Sequence, residues 1–259
     1  MIGATLMALR RYAEADQWLD RALALEPANY KALLRKTNLA LLTGNIELLK
    51  KLMVKIPPDV VPRLVPDLKF EAAYISRKPK QALAVLKKAP AWITSINTLP
   101  SLPASLLKAD ACALRGDKVR AREYYLRARD EARDWLRLRP GNPGMTSALG
   151  MAEAGLGNKQ QAIRDGRYAV NYVPVSHDVL LGSFYLVSLA QIYGRLHEAG
   201  PAVKVLDQLL SIPAGRAVSV KLLKIDPLWD GIRDTPAFQA LLKKYAAPVV
   251  VTSHARAAP

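Results

Sequence analysis

Cysteine occurs once in 259 residues, phenylalanine and histidine three times each, and acidic residues number 22 against 38 basic ones. A lone Cys112 excludes an internal disulfide and favours a cytosolic protein. His177, His197 and His254 lie far apart, without partners at zinc-ligand spacing, so no metal site is expected. No apolar run reaches the roughly 18 residues of a membrane span. The opening MIGATLMALRRYAEA sets its arginine pair after the apolar stretch, the reverse of a secretory signal. No Gly-x-Ser-x-Gly elbow occurs. GLGN at 155–158 follows a helical pattern and lacks the Lys-Ser/Thr of a phosphate loop. Cys112 sits in the apolar run LLKADACAL and reads as a small core residue. Tyr124, Tyr125 and Trp135 read as packing residues. Nothing here assembles into a catalytic site, so a non-enzymatic chain without cofactors is expected.

What is present is apolar bulk and positive charge. Apolar residues make up 51% of the chain, enough to exclude disorder for most of it. The formal charge of +16 is uneven. Residues 31–88 hold 13 basic and 4 acidic groups, whereas 115–139 hold 9 and 5 with the signs interleaved, as on a solvated helix face. The excess is a local basic surface.

The apolar residues recur in helical pairs. In MTSALGMAEAGLGNKQQAIRDGRYAVNYVP, residues 145–174, one periodic helix meets a Gly-Asn turn and a second helix ends at Pro174. Aligning such turns gives Arg10, Gly44, Arg77, Gly116, Gly157 and Gly194. Gly44, Gly116 and Gly157 supply the left-handed residue that ends a helix. Asn45, Asp117 and Asn158 follow as caps of the next. Alanines recur two helical turns apart in each second helix: Ala15 and Ala22, Ala82 and Ala89, Ala121 and Ala128, Ala162 and Ala169. Each pair lies on one face and lets a neighbouring helix approach closely. The longer segment through ARDEARDWLRLRP predicts two added helical turns that keep that face.

This pattern resembles the tetratricopeptide repeat (TPR), a 34-residue helical hairpin with small residues at its eighth, twentieth and twenty-seventh positions and a proline near its end. Gly150, Ala162, Ala169 and Pro174 match, as do Gly3, Ala15, Ala22 and Pro27; the second repeat departs with Thr37, Leu49 and Ile56. The resemblance implies an all-α right-handed superhelix of about six hairpins, at approximately 1–29, 30–62, 63–101, 102–142, 143–179 and 180–215. A cap at 224–245 and a disordered tail at 246–259 complete the expectation. The first repeat begins inside its first helix, which predicts a shortened frame or a domain upstream.

The run KIDPLWDGIRDTPAFQALLKKY, residues 224–245, reads as the lid that a solenoid's last apolar face requires. Thr235 is an N-cap, Pro236 starts the helix, and Phe238, Leu241, Leu242 and Tyr245 form one stripe. Asp226, Asp230 and Asp234 read as turn caps. Residues 145–245 also resemble the C-terminal TPR regions of bacterial multidomain signalling proteins that carry a serine/threonine kinase, a class III adenylate cyclase or a winged-helix domain.

The TPR resemblance further implies a concave groove lined by first helices. Its peptide-facing positions fall on Lys31, Leu34, Arg35 and Asn38, and on apolar Leu106, Leu107, Ser147, Met151, Phe184, Tyr185 and Ser188 downstream. Lys31, Arg35 and Asn38 share one stripe by helical spacing alone. The expected partner is a protein or peptide with an acidic or free C-terminal end; three solvated side chains are the competing reading of the stripe. Two alternatives stand beside this scaffold. One is a detached sensor region of a kinase, cyclase or winged-helix regulator. The other is a nucleic-acid-binding solenoid using the basic stretch, disfavoured because Phe70 and Tyr74 are its only stacking candidates.

Overall fold

The computed structural model describes residues 2–56, 63–94 and 101–246, so the tail expected to be disordered lies outside the described residues except for Ala246. The fold is all-α, a series of TPR-like hairpins. Six pairs follow one another: α1 (Ile2–Ala8) with α2 (Tyr12–Leu25), α3 (Tyr30–Leu42) with α4 (Ile46–Met53), and α5 (Val65–Ile75) with α6 (Pro79–Leu86). Then come α7 (Ala104–Leu114) with α8 (Lys118–Leu138), α9 (Pro143–Gly155) with α10 (Lys159–Tyr172), and α11 (Val179–Arg195) with α12 (Ala199–Ser211). Each helix packs on its hairpin partner, and each second helix packs on the next first helix.

The local causes are visible at both ends of the helices. Asn29, Asn45, Asp117 and Asn142 accept hydrogen bonds from the N–H three residues on, at 3.0, 3.0, 3.1 and 2.9 Å. Asn158 does not act as a cap; its amide donates to Glu153 at 2.5 Å, a carboxylate also held by Arg133. The hairpin turns have positive φ at Arg10, Gly44, Arg77, Gly116, Gly157 and His197. Five of these are the expected positions. The sixth is three residues beyond the expected Gly194, because α11 runs on through Gly194 to Arg195. Gly194 is needed there for space: a Cβ would come within 3.0 Å of the Trp229 ring.

Six of the eight paired alanines are buried as their spacing implies, whereas Ala22 is half-buried and Ala89 lies beyond the end of α6. Ala15, Ala82, Ala128, Ala162 and Ala169 have no exposed surface. At Gly150 a Cβ would stand 3.0 Å from the Ala162 carbonyl, which measures how closely α9 and α10 approach. The extra length in α8 is helical, 21 residues against 14 in α10. The extra length before α7 includes a two-residue antiparallel ladder, β1 (Trp92–Ile93) with β2 (Leu102–Pro103).

After α12 the chain does not simply close the last hairpin. α13 (Val220–Ile225), a 3-10 turn (Pro227–Trp229), α14 (Asp230–Arg233) and α15 (Pro236–Lys244) follow. α15 is the expected cap: Thr235 caps it, and Phe238, Leu241 and Leu242 are buried in a cluster with Leu206 and Leu209 of α12. The preceding residues, 212–235, form a strap that returns to the first repeats. The Gly215 N–H donates to the Ala8 carbonyl at 2.9 Å, Tyr12 Oη to the Gly215 carbonyl at 2.7 Å, and Ser219 Oγ to the Leu42 carbonyl at 2.5 Å. Arg10 donates to the carbonyls of Leu209 and Ile212 at 2.7 and 2.6 Å. The two ends of the hairpin array are thereby tied together. Reading 224–245 only as a lid on the last hairpin missed this, because its partners lie some 150 to 200 residues earlier in the chain.

Candidate groove and its strap

The strap lies against first helices. Ala217, Val218, Leu223 and Trp229 are buried in one cluster with Phe184 and Val187 of α11. Asp226 and Leu228 close a cavity of about 30 Å³ whose other walls include Leu107 of α7 and Met151 of α9. The groove residues named from sequence are distributed accordingly. Leu107, Met151, Phe184, Tyr185 and Ser188 are all buried, and the Ser188 hydroxyl is spent on the Phe184 carbonyl at 3.1 Å. Asn38 is 5% exposed, Leu34 and Arg35 are half-buried, and Lys31 is exposed. Of the predicted lining, only the α3 end reaches solvent in this arrangement. The apolar positions face the chain's own strap or helix neighbours.

On α3 the charges are partitioned. Lys36 is held by Asp16 at 2.9 Å and by Asp20 on α2. Lys31 and Arg35 have no carboxylate partner among the described residues, and Arg35 Nε is buried without a hydrogen bond. Arg216 of the strap lies within the field of Arg35. Burial, and then that neighbouring charge, lower the Arg216 pKa.

A second polar centre, which the sequence reading passed over, sits where the strap crosses α5, α7 and α11. Arg195 donates to Asp110 at 2.6 and 3.3 Å, and Tyr125 Oη donates to the same carboxylate at 2.7 Å. Both members of the ion pair have side chains only 9% exposed. Burial works against the guanidinium, but Asp110 outweighs it and holds the Arg195 pKa above its ordinary value. Glu71 and Asp226 border the same cavity. Burial, then Asp67, Asp226 and Asp110, push the Glu71 carboxyl well above the carboxylate range. Burial pushes Asp226 up to about 6, although it accepts from the Leu228 N–H and feels Arg195. Burial also keeps the Tyr74 and Tyr125 phenols well above 10. Removing one member of a buried pair like Arg195–Asp110 costs about 3–5 kcal/mol, because the other charge is left without compensation. The centre thus holds α7 to α11 and gives the strap a charged floor.

The strap's outer edge is tied as well. Arg77, at its left-handed turn, makes a two-pronged contact with Asp230 at 2.6 and 2.8 Å. Arg233 reaches Asp230 too. Burial opposes it, yet the hydrogen bonds from Arg77 and Arg233 hold the Asp230 pKa below the usual value. Asp226, Asp230 and Asp234 were expected as turn caps alone. Asp226 fits that role, whereas Asp230 is an anchor to a distant hairpin. An open cavity of about 390 Å³ lies beside these residues, walled by Tyr74, Tyr125, Arg195, His197 and Pro227 among others.

The remaining residues singled out from sequence are placed as follows. Cys112 is buried. His177 and His197 are exposed, and His254 lies outside the described residues. Phe70 and Tyr74, the aromatics of the basic stretch, are buried and stacked with centroids 5.3 Å apart, so neither ring offers an open face to a base. Among the described residues no helix is long and apolar enough to cross a membrane, and no group of three or more potential metal ligands occurs.

No family model matches the chain, and no curated protein matches it. Among solved structures it is similar to PilW, described as a widely conserved type IV pilus biogenesis factor. The likeness is at 18% identity and a TM-score of 0.44, over 81% of this chain and 90% of that one.

Proposed function

We propose that this chain is a non-enzymatic scaffold that binds a protein or peptide segment through its first helices, and that Lys31 and Arg35 of α3 receive an acidic or free C-terminal end. One observation carries the reading. On a helix whose other cation, Lys36, is fully engaged, Lys31 and Arg35 stand one turn apart with no carboxylate partner among the described residues. An arginine grips a carboxylate through two parallel hydrogen bonds, and the lysine adds a point charge. Leu34, half-buried between them, gives the adjoining residue of the ligand an apolar contact. The apolar residues further along lie under the strap or in the core, so a longer ligand engages them only by competing with residues 212–231. The resemblance of residues 145–245 to bacterial signalling proteins supports a role in signal transduction, with the chain as their sensor or interaction region in the cytoplasm.

Isothermal titration with a partner peptide recovered by pull-down tests the contact. A charge-assisted hydrogen bond contributes about 1.5–3 kcal/mol, so Arg35→Ala weakens binding about 10-fold or more. Amidating the peptide's C-terminus weakens it similarly, and the two losses do not add, because they remove the same contact. Equal affinity for the amidated peptide overturns the assignment.

A further inference from the structure

We propose that two adjoining cavities under the strap form a binding site for a small organic ammonium ion, its charged head in the chamber bordered by Glu71 and Asp226 and its body in the wider space beside Tyr125. The chamber has a volume of about 30 Å³ and is walled by Glu71 and Tyr74 of α5, Asp110 of α7, Arg195 of α11 and Asp226 of the strap, with apolar residues between them. A water needs roughly 10–15 Å³ on the same measure, so there is room for one ammonium group and little more. The wider cavity, open and of about 390 Å³, shares Tyr74, Asp110, Arg195 and Leu228 with the chamber as walls. Clefts that bind small molecules run from roughly 300 to 1,000 Å³. Tyr125, Leu114 and Pro227 line it with aromatic and apolar surface that suits an alkyl chain.

The chamber has acceptors that lack donors. Asp110 is spent on Arg195 and on the Tyr125 hydroxyl, and the guanidinium is spent in return. Asp230, in the wall of the wider cavity, is taken by Arg77 and Arg233. Glu71 and Asp226 are left. Neither forms an ion pair among the described residues, and Asp226 has one oxygen on the Leu228 N–H. Tyr74 is 8% exposed and stacked on Phe70, and it borders both cavities. Its hydroxyl makes no hydrogen bond among the described residues. An ammonium brings three N–H donors and one positive charge to these two carboxylates and the phenol oxygen. A metal ion is a poorer match, since no three potential ligands converge among the described residues. Burial, then the neighbouring acids, raises Glu71 well above the carboxylate range, and burial raises Asp226 to about 6. The titratable and charged groups that face them are Asp67 and Tyr74 of α5, Asp110 of α7, Tyr125 of α8, Arg195 of α11 and Arg233 of the strap. A bound cation favours the ionised carboxylates, so binding releases protons near pH 6 and tightens as the pH rises through that value. Because Asp226 belongs to the strap, the same ligand holds the strap down.

The site uses neither Lys31 nor Arg35, so it stands or falls apart from the peptide contact proposed above. Isothermal titration of the full chain with the diamine cadaverine, at pH 7 and constant ionic strength, gives saturable binding. Affinity falls about 10-fold at pH 5, where roughly nine-tenths of Asp226 carries a proton. Near pH 6 the heat differs between buffers of different ionisation enthalpy, because protons are released. Tetramethylammonium has the charge without the N–H donors, and it does not bind. Equal binding of N-acetyl-lysine N-methylamide extends the site to a protein lysine; its failure to bind restricts the site to free amines. Glu71→Gln and Asp226→Asn each weaken cadaverine binding about 10-fold or more, and Tyr74→Phe, which keeps the ring, weakens it by a smaller factor. Circular dichroism checks that each variant is folded, and Tyr74→Phe decides the matter where a carboxylate variant is not. Absence of saturable binding, equal binding of tetramethylammonium, or full affinity in the folded variants overturns the proposal.

Discussion

The strap and the cap are consecutive stretches of the same C-terminal run, yet they are held in opposite ways. The cap helix α15 finds its partners nearby: Lys244 bonds Asp207 at 2.6 Å and Tyr245 Oη bonds the Asp207 carbonyl at 3.3 Å, 37 and 38 residues away. Its apolar stripe lies on the helix that precedes it in the array. The strap's hydrogen bonds instead span 153 to 207 residues, to Arg77, Arg10, Tyr12 and Ala8. A cap completes a one-dimensional array by covering its last apolar face. A strap converts that array into a closed arrangement whose ends depend on each other. The difference matters for binding, because the cap leaves the first helices free whereas the strap occupies them.

The largest expected effect falls on the strap residue that packs on the cap. Trp229 is 2% exposed, packs against Gly194 and Phe238, and ends the 3-10 turn of the strap. Trp229→Ala removes about 3–5 kcal/mol by lost burial and the cavity left behind. Urea unfolding followed by circular dichroism measures the loss. If strap and cap are separable, amide exchange accelerates over 213–235 while 236–244 keeps its protection; acceleration over both ranges together joins them into a single unit.

Acid should distinguish the two. Asp226 titrates near 6 in the folded chain against an ordinary value of 3.8, and Glu71 is shifted in the same direction. A carboxyl with a raised folded-state pKa binds its proton more tightly when folded. Its stabilising contribution is therefore full below about pH 4 and is lost as the pH rises through about 6. Asp226→Asn keeps the acceptor for the Leu228 N–H and removes the titration. Strap exchange in this variant, corrected for intrinsic rates, loses much of its pH dependence between 4 and 7, while the cap is unchanged. An unaltered profile would detach Asp226 from the closure.

The smallest effect is expected at Arg77, where two terms oppose each other. Its ion pair with Asp230 is half exposed, the kind that contributes about 0.2–1 kcal/mol. Its φ of +54° costs a non-glycine residue roughly 1–2 kcal/mol. Arg77→Ala loses the pair and keeps the strained backbone, so it destabilises slightly. Arg77→Gly loses the pair but relieves the strain, and comes out neutral or stabilising in thermal melts. An alanine variant as stable as the glycine one would mean that the turn at Arg77 is unstrained.

Much of this molecule was legible because its repeats are local. The 34-residue rhythm, the Asn and Asp caps, and the alanines two turns apart all describe contacts between residues close in sequence. The misreadings share one cause. Gly194 has the composition of a turn glycine, but it serves the close approach of Trp229, 35 residues on, which no local pattern reports. The polar centre of Asp110, Arg195, Glu71 and Asp226 draws on α5, α7, α11 and the strap, so its members look in sequence like scattered surface charges. The aspartates of the C-terminal run were seen as turn residues, since the arginine that meets Asp230 lies three hairpins earlier.

The sequence by itself determined the hairpins, their order, the cap and the absence of obvious catalytic motifs, because helix periodicity, capping and small-residue spacing act over a few turns. Only the tertiary structure decided that the groove is strapped, that Leu107, Met151 and Phe184 are covered, and that Arg77 meets Asp230 across three hairpins. Those outcomes depend on how six hairpins curve, and curvature sums small rotations at every interface until distant residues meet.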